Sequence, residues 1–255
     1  LRSKRSGAIV LMLLFCTCCR KPGTVTIAVI PRTSGTILWE PEHRGARDAA
    51  KLIGAHIYWN APTRENDVSA QIELIEHVSE GNYQGLVLAP NQALALIAPV
   101  RHALARGLPI VIVSSPIPVP AGTKLSFILN DEQEGGRLAA RRVALLLHGH
   151  GTIAILGIDP DVTGIMDRAR SFEQFLAKNY PDIHVVERHL GSFNVPHEQE
   201  VAEETLDAHP DLDAIVALMW PSATGALSTI DSDPAKSKVK VIGFDPEDFL
   251  FASPS

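Results

Sequence analysis

Cysteine is absent from almost the whole chain, since the three present, Cys16, Cys18 and Cys19, fall in one short stretch. The rest therefore has no disulfide to close and must hold together by packing. No His or Cys follows CTCC at a zinc-type spacing, which argues against a metal cluster there. Also missing are a Walker loop, a GxGxxG after the first strand and a GxSxG. The usual routes to nucleotide binding and to a serine nucleophile thus have no support. Charge is sparse as well, 20% of 255 residues against 45% hydrophobic. Such a chain is globular and buries one large or two modest cores.

What is there begins with Arg2, Lys4 and Arg5 ahead of an apolar run from Ala8 to Phe15, the n-region and h-region of an export signal. The run is too short to span a membrane as a stable helix, and a buried helix is the alternative reading. Cys16, Cys18 and Cys19 end this run, where a bacterial lipoprotein signal carries its acylated Cys. Phe15 and Thr17 replace small residues expected there, so all three remain lipidation candidates. Residues 1–23 are read as a signal and lipoprotein segment, and the body is expected in the periplasm, tethered to a membrane by lipid. Five basic and no acidic residues fall in that segment, leaving 18 basic against 29 acidic, a net charge of −11. An acidic body of this kind favours solubility and disfavours nucleic acid.

From Thr24 onward short apolar strands alternate with helices. Strands are predicted at Thr24 to Ile30, His56 to Trp59, Gly85 to Leu88 and Pro109 to Val113, with helices at Glu42 to Ile53, Asp67 to Val78 and Ala93 to Ala105. The stretch LSFILNDEQEGGRLAARRV, Leu125 to Val143, passes the pattern from one half to the next. Ser126 to Leu129 is a strand, Asn130 and Asp131 can cap a helix from Glu134, and Gly135 and Gly136 let that helix approach other backbone. Strands Thr152 to Leu156, His184 to Glu187, Ala214 to Leu218 and Val239 to Ile242 follow, with helices Gly164 to Asn179, Glu198 to Ala208 and one from Ala223. The pattern predicts an α/β fold of two doubly wound parallel-sheet lobes. In such sheets ligands bind at the carboxyl ends of strands, so the loops after Ile30, Leu88, Leu156 and Leu218 and the turn at Asp245 are expected to face the crevice.

Isolated polar groups suggest less. His148 and His150 sit in a glycine turn with no carboxylate beside them, Asp159 and Asp161 read as a turn and cap, and Asp207, Asp211 and Asp213 read as solvated.

Six blocks in order, GLVLAP (85–90), GLPIVIVSS (107–115), SFILNDEQEGG (126–136), DRARSF (167–172), HPDLDAIVA (209–217) and VIGFD (241–245), resemble the periplasmic sugar-binding proteins of ABC transporters, type 1 solute-binding proteins of the ribose-binding kind. The resemblance runs from about Thr24 to Asp245 and implies two lobes, residues 24–129 and 130–242, with 243–255 as hinge and start of a return to the first lobe. It implies hinge positions at Asn130, Asp131 and Gly243. By position in the family pattern, Trp39 and Phe193 become aromatic walls from opposite lobes, Arg168 a donor to vicinal hydroxyls, and Asp245 an acceptor of hydroxyl protons. A Trp closing a loop, a surface Arg and a turn cap are the plainer roles for Trp39, Arg168 and Asp245. Departures fall at Gln92, where the family carries an acid, and at Met219 and Trp220, where it carries a polar pair. A crevice less polar than a plain hexose or pentose site would follow, open to a modified sugar, a nucleoside-like ligand or a smaller apolar-faced ligand.

The resemblance implies no enzyme, no cofactor and no metal. It implies a monomeric binding protein that delivers a small sugar-like ligand to an ABC transporter permease. A sensor that docks to a membrane receptor is the alternative. A DNA-binding regulator would need a basic helix-turn-helix ahead of the first strand, where the export signal stands. Members of the family usually continue past the GFD block and cross between lobes three times. The resemblance therefore also implies a missing return segment after FLFASPS, and with it exposed apolar strand faces and a tendency to aggregate.

Overall fold

The computed structural model describes residues 24–35 and 37–245, so Cys16, Cys18, Cys19 and the FLFASPS segment lie outside the described residues. Strands Thr26–Ile30 (β1), His56–Trp59 (β2), Gly85–Leu88 (β3), Ile110–Ser114 (β4) and Leu125–Leu129 (β5) form one parallel sheet in the order β2-β1-β3-β4-β5. Helices Glu40–Ile53 (α1), Val68–Glu80 (α2) and Ile97–Ala105 (α3) are the crossovers between them. Residues at a period of two along the strands, Ala28, Ile30, Leu86, Leu88, Ile110 and Ile112, point to one face and are fully buried there against Ile75, Val78 and Val100. At the end of α1, Leu52 and Ile53 remain exposed.

The chain leaves this sheet at Asn130 and Asp131. Helix Glu132–Leu146 (α4) starts where the Asp131 carboxylate accepts from the Glu134 N–H at 2.8 Å, the N-cap expected from the sequence. A second parallel sheet follows in the order β7-β6-β8-β9, built from Gly151–Ile158 (β6), Ile183–Leu190 (β7), Ala214–Ala217 (β8) and Lys240–Ile242 (β9). Helices Thr163–Asn179 (α5), Val195–Ala208 (α6) and Trp220–Ser232 (α7) complete it. This sheet is buried on both faces. Ile153, Ile155 and Val216 meet Val143, Phe172 and Leu176 on one side, while Ala154, Leu156 and Ile215 meet Ala202, Leu206 and Ala226 on the other. The hinge and return expected over 243–255 runs out of the described residues at Asp245.

Several elements begin elsewhere than periodicity alone indicates. α6 and α7 start at Val195 and Trp220, ahead of Glu198 and Ala223, because Pro196 and Pro221 occupy first-turn positions that a helix tolerates. α3 starts late, at Ile97, since Ala93 and Leu96 are buried in a turn before it. β6 runs on to Ile158 through Gly157, whose φ of +84° accompanies a register shift against β7. Gly136 lets α4 lie on α5: a Cβ there would overlap the Arg168 carbonyl and come within 2.9 Å of the Phe172 nitrogen.

Candidate functional site

Every strand in both sheets is parallel, so each sheet gathers its loops at one end, and the two ends face each other across a cavity of about 320 Å³. The loops after β1, β2, β4 and β5 line it from one side. Those after β6, β7, β8 and β9 line it from the other. Of the residues singled out from the sequence, Trp39, Arg168, Phe193, Trp220, Asp245 and the hinge candidate Asn130 all lie on this wall.

Gln92 does not. It stands beside Leu94, Pro116 and Asp161 in a separate depression, and the loop after β3 as a whole is drawn off the cavity, against the expectation for the loop after Leu88. Buried Gln71 on α2 is the cause. Its amide donates to the carbonyls of Pro31 at 3.2 Å and Ala89 at 2.9 Å, and its oxygen accepts from the Asn91 N–H at 2.9 Å. This fastens the loops after β1 and β3 to one helix. Asp131 caps α4 and is exposed, and Gly243 is exposed just beyond β9, so neither lines the cavity. Asp159 accepts from the Asp161 N–H at 2.9 Å, as a turn residue should.

The first-sheet wall carries Arg32 and Glu65, a pair that sequence reasoning missed. The Ser34 N–H and the Thr33 hydroxyl both donate to the Pro62 carbonyl, at 2.8 and 3.1 Å, which joins the loop after β1 to the loop after β2. That contact sets the Arg32 Nε 3.2 Å from the Glu65 Oε1, both side chains under a tenth exposed. Yet the Arg32 Nε and Nη2 make no hydrogen bond. Burial pushes the Glu65 carboxyl up, Arg32 opposes this, and the charges of Asp245 and Asp159 add to it. Ser114, at the end of β4, has a φ of +67°, a left-handed backbone costly for a serine, at the cavity edge.

The second-sheet wall centres on Arg168. Its Nε donates to the Glu132 Oε2 at 2.8 Å, its Nη2 lies 2.7 Å from the same oxygen, and its Nη1 donates to the Leu218 carbonyl at 2.5 Å. The Phe244 ring sits under the guanidinium, 4.3 Å from Cζ to centroid. Asp245 follows directly. Burial raises its carboxyl, Arg168 pulls it down, Glu132 pushes it up, and the Trp220 backbone N–H helps hold it down. Phe193 is placed by buried Glu198 on α6, which accepts from the Ser192 N–H at 2.5 Å and from the Ser222 hydroxyl. The Phe193 ring reaches across the cavity to the Arg32 guanidinium, 5.3 Å from Cζ to centroid. The indole N–H groups of Trp39 and Trp220 are buried without a partner.

The chain matches the periplasmic binding protein domain over residues 27–251. It belongs to that family. Among proteins of this kind, the D-ribose/D-allose-binding protein of Pseudomonas aeruginosa is 28% identical over 191 residues, covering 71% of this chain and 57% of that protein. The xylitol-binding protein of Mycolicibacterium smegmatis is 26% identical over 199 residues, 77% of this chain and 55% of that protein. The chain thus spans little more than half the length of these two relatives. A solved carbohydrate transporter solute-binding protein from Agrobacterium radiobacter, in complex with D-arabinose, superposes with a TM-score of 0.82 at 27% identity, over 89% of this chain and 78% of that one. The two-sheet architecture read from the sequence is therefore that of the family.

Arg32, Glu65, Ser115 and Glu132 line the cavity as well. Arg32 could have been found from its place two residues after Ile30, inside a loop already expected to face the crevice. For Glu65 and Glu132 the sequence held no comparable signal, since a carboxylate in a loop or first helical turn is ordinarily a solvated or capping group.

Proposed function

We propose that this protein captures a small sugar or sugar-like polyol between its two sheets and presents it to the permease of an ABC importer, making and breaking no bond. The observation that carries this reading is the cavity itself. It is enclosed by the carboxyl-end loops of two sheets, flanked by two indoles, and furnished with buried charges that face inward. Family membership supports it, as do the ribose, allose, xylitol and arabinose in the names of the relatives. In this reading Trp39 and Phe193 cover the apolar face of the ligand, Arg168 and Asp245 bond its hydroxyls, and Trp220 narrows the second-sheet side. Asn130, Asp131 and Gly243 bend as the lobes close. Gln92 is given no ligand contact. Acylation at Cys16, Cys18 or Cys19 tethers the protein as a monomer on the periplasmic side of a membrane. Intact mass of protein recovered from membranes, with or without an acyl adduct, tests that part.

Thermal melting against D-ribose, D-allose, D-arabinose, xylitol and nucleosides tests the rest. A ligand at 100 times its Kd adds about 2.7 kcal/mol to the folded state, a readily visible rise in Tm. No shift with any member of the panel would sink the proposal.

A further inference from the structure

Resting on the reading of the cavity as a ligand site, we propose that Arg32 and Glu65 are specificity-determining ligand contacts. The Arg32 Nε–H and Nη2–H donate to adjacent hydroxyl oxygens, Glu65 accepts a hydroxyl proton, and the pair selects an uncharged vicinal polyol over the corresponding sugar acid.

Arg32 has unfilled bonding capacity. Arg32 is 7% exposed and Glu65 8% exposed, so water does not serve their polar atoms freely. Neither the Nε nor the Nη2 of Arg32 has an acceptor, although Glu65 lies 3.2 Å away. A buried guanidinium with idle N–H groups is costly unless something else completes it. Two more idle donors, the indole N–H groups of Trp39 and Trp220, belong to the wall of the same cavity. The unpartnered groups on this wall are therefore donors, and the missing partner is rich in acceptor oxygens.

Charge then narrows the acceptor. The wall carries Arg32 and Arg168 against Glu42, Glu65, Glu132 and Asp245, two positive groups against four carboxyls. A carboxylate or phosphate on the ligand would compete with Glu65 for Arg32 and face Asp245 as well. A hydroxyl avoids this, because it accepts from Arg32 while giving its own proton to Glu65. The Nε and Nη2 hydrogens lie side by side on one edge of the planar guanidinium, so they suit two neighbouring oxygens of one carbon chain.

The pair is also held ready. The Thr33 and Ser34 contacts to Pro62 join the two loops, the Gln71 amide holds the Pro31 carbonyl, and Phe193 covers the guanidinium from the other sheet. Little rearrangement is then needed when a ligand arrives, and the bonds gained appear in affinity.

Calorimetric titration of the full chain with D-ribose, D-allose, xylitol and D-ribonate tests the proposal. The expected result is binding of at least one neutral polyol, with D-ribonate at least tenfold weaker. Arg32→Met should weaken the polyol about a hundredfold through the loss of two charge-assisted hydrogen bonds, and Arg32→Lys should recover part of that. The double variant Arg32→Met/Glu65→Leu leaves no unpaired buried charge, so it keeps the loops folded and isolates the binding effect. Its ligand-free melt verifies the fold. A folded double variant that binds the polyol like the wild type would overturn the role of this pair alone, and so would a wild-type preference for D-ribonate. A wild type that binds none of the four would overturn the cavity reading and this pair with it.

Discussion

Two arginine–glutamate pairs face one cavity, and they are finished to different degrees. Arg168 commits each of its nitrogens to protein, though not every N–H: Glu132 takes two of the nitrogens, the Leu218 carbonyl a third, and Phe244 lies beneath the group. Those partners come from the start of α4, the end of β8 and the segment after β9. Arg168 thereby ties the segment entering the second sheet to the segment leaving it. Arg32 has Glu65 at 3.2 Å, no hydrogen bond from Nε or Nη2, and a ring from the opposite sheet. Residue type and burial are alike in the two pairs. What separates the two is the number of nitrogens left without an acceptor: Nε and Nη2 on Arg32, none on Arg168, which has only its remaining Nη hydrogens to offer a ligand.

The largest expected effect breaks this contrast at its finished end. Arg168→Met leaves the largely buried Glu132 without its cation and frees the Leu218 carbonyl, for a loss of about 3 kcal/mol in urea denaturation. Arg32→Met should cost less. Burial already pushes Glu65 towards its neutral form, so the orphaned carboxyl can take up a proton, and no protein hydrogen bond from Nε or Nη2 is lost. A greater loss from Arg32→Met than from Arg168→Met would show that Arg32 is structural after all.

The sheets were legible in the sequence because strand runs such as TIAVI and IVIVS carry their own signal, and most of the gaps between them admit a helix. The N-cap at Asp131 and the close approach at Gly136 were legible for the same local reason. Cavity residues were harder. Trp39, Phe193, Trp220 and Asp245 sit in the connections that leave the strands or at the helix starts that end them, and the direction of these follows from strand polarity, so topology alone brings them together. Gln92 sits in such a loop too, yet Gln71, a helix residue distant in sequence, pulls that loop aside. The Arg32–Glu65 pair depends likewise on contacts between two loops at Pro62. Neither contact has a period or a spacing.

An effect smaller than the loss of Arg168 sharpens the contrast through pH. Glu65 and Asp245 both have carboxyls raised by burial, so each holds its proton more tightly folded than unfolded. Their stabilising contribution is complete below the ordinary carboxylate range and is lost as pH rises through their raised folded values. The ligand-free protein should therefore melt higher at mildly acidic pH than at neutrality. Partly exposed Glu134, lowered by Arg137 and Arg141, acts in the opposite sense and only at and below the ordinary range. Asp245→Asn should raise the neutral-pH Tm, flatten this profile and weaken polyol binding together. A profile unchanged in that variant would place the titrating group elsewhere.

The smallest expected effect compares the two indoles, one on each wall. Trp39→Phe and Trp220→Phe each keep an aromatic face and remove one N–H that has no partner in the protein. Losing an unsatisfied donor favours the variant, while the smaller ring leaves some space, so ligand-free stability should stay within about 1 kcal/mol of the wild type. Binding should respond differently. If the occupant bonds both indoles, each variant loses one neutral hydrogen bond, about 0.5–1.5 kcal/mol, or roughly 2- to 13-fold in Kd. Equal losses would place acceptor oxygens against both sheets at once, as expected for a ligand gripped between lobes. A loss confined to Trp39→Phe would mean that the ligand is read from the side of Arg32, with the second sheet acting as a cover. A loss confined to Trp220→Phe would reverse the roles of the two walls and leave the idle donors of Arg32 without the partner assigned to them.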